Sequence, residues 1–153
     1  MKPLTLAAIG ALAVLPVTAA GRLSGQMPSP AAPAGVRGEI LAQFDDAATK
    51  LLQLAEAIPQ EKYAWRPGAD VRSVSQVLMH VSGGNYYVLG MAGVPAPAGL
   101  PQDAENTVTD KVQVLEQLRR SCEHVRAAIR GMPDADLDQP ATLFGRPSTK
   151  RNV

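Results

Sequence analysis

Cysteine occurs once, at Cys122, in a chain of 153 residues. A single thiol excludes an internal disulfide and a thiolate metal cluster built within one chain, so stability has to come from packing. Aromatic residues make up 4% of the sequence, which leaves aliphatic side chains to form any core. Neither charge sign dominates: 15 basic against 14 acidic residues give a formal net charge of +1. No basic stripe interleaved with aromatics is present to track phosphates, and nucleic acid is not an expected partner. The basic cluster Arg146, Lys150 and Arg151 reads as a solvated tail. No glycine-rich phosphate loop appears, because Gly83 and Gly84 fall inside a predicted helix. Neither histidine sits in a partner motif for a serine or cysteine nucleophile.

Apart from one stretch, long hydrophobic runs are also lacking. The exception is residues 1–20, where Lys2 precedes an apolar run from Leu4 to Val17 and the small residues Thr18, Ala19 and Ala20. A short apolar run with a basic start and small-residue end is the pattern of a secretory signal peptide, with cleavage expected after Ala19 or Ala20. It is too short, and too broken by Gly10 and Pro16, to read as a retained span. The mature protein is thus expected in the periplasm or outside the cell, without a stable membrane span. Residues 21–35, with Pro28, Pro30 and Pro33 among Ser, Ala and Gly, read as an extended linker. The folded domain is expected over residues 36–153, a length suited to one core.

Within that domain three segments carry helical periodicity. From Arg37 to Ile58, Ile40, Leu41, Phe44, Ala48, Leu51 and Ala55 recur at spacings of three and four. A second helix is predicted from Ser73, where Ser73-Val74-Ser75-Gln76 has the form of a capping box. Its inward face is read as Val74, Val77, Leu78, Val81, Val88 and Leu89, with the tip of His80 turned to the interior. Gly83 and Gly84 cost helix stability, about 1 kcal/mol each against Ala, which suggests a need for space or for a close backbone approach. The third helix is predicted from Thr109 to Arg130 on Val112, Leu115, Leu118, Cys122, Val125 and Ile129, closed by Gly131 and Pro133. Cys122 is read as a small buried residue, and His124 as exposed. Between helices, the turn around Tyr63 and Trp65 is read as a plug of large rings over one end of the core. Ser148 or Thr149 looks like a helix cap with no helix after it. The fold class is therefore all-α, an up-down helical bundle with three long helices and the fourth missing or rudimentary. Such a bundle leaves an apolar groove.

These parts, taken in order, resemble the DinB-like family. The leading helix runs into Ile58-Pro59-Gln60-Glu61-Lys62-Tyr63-Ala64-Trp65-Arg66-Pro67; then come Val71-Arg72-Ser73, Val77-Leu78-Met79-His80-Val81, Gly83-Gly84-Asn85-Tyr86-Tyr87, and Phe144-Gly145-Arg146-Pro147-Ser148-Thr149-Lys150-Arg151. The resemblance implies a four-helix bundle and a divalent metal (Zn, Ni or Mn), held by one histidine of the second helix and an H-x-x-x-H pair of the fourth. His80 matches the first of these. The pair has no counterpart in this sequence, while a catalytic site of the zinc type needs about three protein ligands and an open position. Asp103 and Glu105 are possible oxygen donors whose distance to His80 the sequence leaves open. Two functions are consistent with the resemblance. One is an exported metal-binding protein related to metal-dependent hydrolases and thiol transferases, acting on an unidentified small molecule. The other is a non-catalytic module that forms a homodimer through its open groove. The leader reading is checked by N-terminal sequencing of the exported protein, which is expected to begin at Ala20 or Gly21.

Overall fold

The computed structural model describes residues 34–153, so the leader and nearly all of the linker expected above lie outside the described residues. The first helix, α1, spans Gly35–Ala57. It ends where Ile58 turns extended ahead of Pro59, which has no N–H to continue the ladder. A single 3-10 turn, Gln60–Lys62, follows. Helix α2 spans Val74–Met91 and begins with the capping box anticipated at Ser73, both halves of which form. The Gln76 amide donates to the Ser73 hydroxyl at 3.3 Å, and the Ser73 amide donates to Oε1 of Gln76 at 2.9 Å. A one-turn helix, α3 (Ala104–Thr107), precedes α4 (Lys111–Gly131). The side chain of Asp110 caps α4 by accepting from the Gln113 amide at 3.0 Å, satisfying one of the donors a helix start leaves open.

Helix α4 is central, packing against both α1 and α2, while α3 lies on α2. The core joins Ala48 and Ala55 of α1, Leu78 and Met79 of α2, and Val114, Leu115, Leu118 and Cys122 of α4. Tyr63 plugs one end of it, fully buried, whereas Trp65 of the same turn is exposed. The ring plug is thus one ring rather than two. The Tyr63 hydroxyl donates to the Ala55 carbonyl at 2.7 Å, and the Tyr63 carbonyl accepts from the Ser75 amide at 2.9 Å. One residue therefore joins the end of α1 to the start of α2.

The helical-bundle expectation is met by three long helices, with two corrections of detail. The buried face of α2 is rotated from that read in the sequence, with Val77 exposed and Ser75 and Ser82 buried; on α4 Val112 is exposed and Ser121 buried, while Leu115, Leu118, Cys122 and Val125 are buried as read. Apolar periodicity does not register a serine that hides its hydroxyl on a neighbouring backbone, as Ser82 does on the Gln117 carbonyl and Ser121 on that of Leu118. The second correction concerns the end of the chain. Strands β1 (Pro140–Leu143) and β2 (Arg146–Thr149) pair antiparallel, joined by Phe144 and Gly145, both at positive φ, as a two-residue hairpin turn requires. A 3-10 turn, Lys150–Asn152, follows, so Ser148 lies in a strand while Thr149 ends that strand and is also the N-cap of the short turn, without a side-chain cap bond. The basic cluster is not a loose tail either. Arg151 bonds Asp138 at 2.6 Å, and the amides of Lys150 and Arg151 donate to the Gln139 and Leu137 carbonyls.

Arg37, near the start of α1, closes the far end of α4. Its guanidinium donates to the carbonyls of Arg130 (3.2 Å) and Met132 (2.8 Å) and pairs with Asp134. A cation at a helix C-terminus meets both the unsatisfied carbonyls and the negative end of the dipole. No described helix is long and apolar enough to cross a membrane. Two substitutions test the joints described here by urea unfolding. Tyr63→Phe, which strands the buried Ala55 carbonyl, is expected to lower stability by about 1–2 kcal/mol, and Ser73→Ala by about 1 kcal/mol through loss of the cap.

Candidate functional site

His80 lies on α2 and its side chain is 57% exposed, so its tip stands at the rim of the bundle and not in the interior as expected. The cause is the rotation already described. With Ser75, Leu78, Met79, Ser82 and Tyr86 forming the buried face of α2, His80 is about 100° past Met79 at the helical period and falls beside that face.

What the rim position provides is a partner. Nδ1 of His80 is 2.8 Å from Oε2 of Glu105, the residue whose distance the sequence could not supply. Glu105 sits on α3, and its other oxygen accepts from Nε of Arg72, just ahead of the α2 cap. The bond from Arg72, assisted by those of His80, holds the Glu105 carboxyl below its ordinary value against a smaller opposing effect of burial. A second row of bonds runs beside this one: Arg66 to Gln76, Gln76 to Asn106 at 2.9 Å, and Asn106 to Asp103 at 2.7 Å. Asp103 is thereby engaged with Asn106, and of the two candidate oxygen donors only Glu105 reaches His80.

Two cavities meet at His80. The larger, of about 440 Å³, runs between α1, α2 and α4 and is lined by apolar residues including Ile40, Phe44, Val81, Val88, Val125 and Ile129, with Leu137 and Val153 at one end. It is the apolar groove expected of a bundle with three long helices. The smaller, of about 360 Å³, lies between α2 and the segment carrying Leu100, Pro101 and Glu105. Gly84 borders both, Gly83 the second. A Cβ added at either glycine would meet nothing within 4 Å. Close backbone approach is therefore not what the glycine pair serves, and both residues border open space.

His124 departs from its expected exposure. Its Nε2 is shielded from solvent with no hydrogen-bond partner among the described residues, and its ring lies 5.3 Å from that of Tyr86. It stands apart from the Glu105 cluster. Cys122 is buried as expected, and burial raises its thiol above the ordinary value, which leaves it un-ionised and unreactive at neutral pH. Among the described residues no three of His, Cys, Asp and Glu come together to hold a metal ion.

With this geometry in place, comparison with known families identifies the chain. The family model of the DinB superfamily matches residues 43–153, and the chain belongs to that superfamily. Neither the curated proteins nor the solved structures yielded a match.

Because Glu105 is depressed in the folded state, its contribution to stability is present above the ordinary carboxyl pKa and is lost as pH falls through its lower folded value. Thermal unfolding of the native protein and of Glu105→Gln between pH 7 and pH 3 reads this directly: the variant is expected to melt lower at neutral pH, with the gap closing toward pH 3.

Proposed function

We propose that this member of the DinB superfamily is exported and carries, at His80, one ligand position of a divalent-metal site of the kind found in metal-dependent hydrolases and thiol transferases. The observation that carries the reading is the 2.8 Å bond between Nδ1 of His80 and Glu105. A carboxylate on one ring nitrogen fixes the imidazole and presents the other nitrogen, Nε2, as a ligand, the outer-shell arrangement of metal-binding histidines. Arg72 in turn fixes Glu105, so the imidazole is aimed without help from the groove.

A complete site does not fit the described residues. They bring one imidazole and one already engaged carboxylate to the rim, and no third donor joins them. A metal held here needs further ligands from elsewhere, and no catalytic step is derived through it. Metal bound after exposure to zinc, nickel and manganese, measured by mass spectrometry on the native chain, His80→Ala and Glu105→Gln, tests the assignment. Uptake by the native chain should vanish in His80→Ala and weaken by about 10–100-fold in Glu105→Gln. Uptake that survives His80→Ala, or no uptake by the native chain, rejects His80 as a ligand in this protein.

A further inference from the structure

The larger cavity has the size of a small-molecule site. Its charged side chains, Arg37, Lys150 and Arg151, are all cations, three against the single main-chain carboxylate that Val153 brings to the lining in the 153-residue chain. Asp134, Asp136 and Asp138 lie close to these cations but are not among the residues that line the cavity. Asp134 holds Arg37 and Asp138 holds Arg151, while Lys150 stands 3.9 Å from Asp136, beyond hydrogen-bond length. The acids fix where the cationic heads sit and leave donors unspent. Arg151 uses Nη2 on Asp138, and Arg37 uses Nε and Nη1, out of five N–H groups on each guanidinium. The rest of the lining is mainly aliphatic, with Phe44 and the polar side chains of Asn85 and His80.

A second observation bears on the same space. Gly84 lines the cavity, and a Cβ there would meet nothing within 4 Å. Alanine at that position would favour the helix and would clash with no neighbour, so nothing in the protein's own packing calls for the glycine.

We propose that this cavity binds an organic anion with an apolar body, the body lying along Val81, Val88, Val125 and Ile129 and the acidic head meeting Lys150, Arg151 and Arg37. Removal of apolar surface from water supplies most of the affinity. The cationic mouth selects the sign of the head through charge-assisted hydrogen bonds. This inference goes beyond the metal reading and is independent of it, since none of these contacts uses Nε2 of His80 and the test is run without metal.

The test is calorimetric titration of the 153-residue chain in metal-free buffer with three ligands of equal chain length: decanoate, 1-decanol and decyltrimethylammonium. One decanoate per chain is expected, at least about tenfold tighter than the other two, the ratio that one hydrogen bond to a charged group supplies. Lys150→Gln, a change away from the core, should reduce the lead of decanoate severalfold and leave decanol unchanged. Gly84→Leu, checked for helical content by circular dichroism, should weaken all three by filling the space. Four results overturn the proposal: no binding, equal affinity for the three ligands, binding indifferent to Gly84→Leu, or a dimer in light scattering that Gly84→Leu dissociates. The last would assign the cavity to a second copy of the chain.

Discussion

The arrangement of this domain depends on Tyr63. A large polar ring with no exposed surface must have its hydroxyl satisfied from within, and the acceptor is the Ala55 carbonyl in the last turn of α1. Burial followed by the field of Glu56 pushes the phenol pKa up, so the hydroxyl stays protonated and remains a donor at neutral pH. The same residue offers its own carbonyl to Ser75 at the start of α2. α1 and α2 are thus tied at this end by one side chain and one peptide group, while α4 packs against both.

Much of the architecture could be read from the sequence because long helices repeat their signal. Three periodic segments, a capping box at Ser73, and the Gly131–Pro133 stop each reinforce a three- or four-residue spacing; α1 and α4 appear within about two residues of both expected ends, and α2 within one residue of its expected start. The order of the motifs carried the family as well, which the match over residues 43–153 bears out. What remained hidden is what has no period. The β1–β2 hairpin rests on eight residues with Phe144 in a left-handed conformation, a conformation that a phenylalanine does not advertise.

The site was legible in part for a similar reason. His80 could be singled out by its place among neighbouring motifs, but the direction of its ring depended on which face of α2 is buried. That face includes Ser75, paired with the Ser73 hydroxyl, and Ser82, bonded to the Gln117 carbonyl, which look polar in a sequence and are buried with the core. Glu105 could be noticed only as a loop acid. Its 2.8 Å approach to His80 arises because Val108 and Ala104 tuck α3 against the core, a tertiary event across 25 residues that no local pattern encodes.

The latch at Arg37 has a consequence for how the domain comes apart. It links α1 to Asp134, 97 positions away, and it does so at the end of α4 where helices ordinarily fray. Terminal segments of most domains open independently of the core and set the low end of the local stability range. Here the first turns of α1 and the last turn of α4 share one guanidinium, so loosening either withdraws bonds from the other. The start of α1 and the end of α4 are therefore coupled, and Arg37 and Met132 of that joint also line the groove.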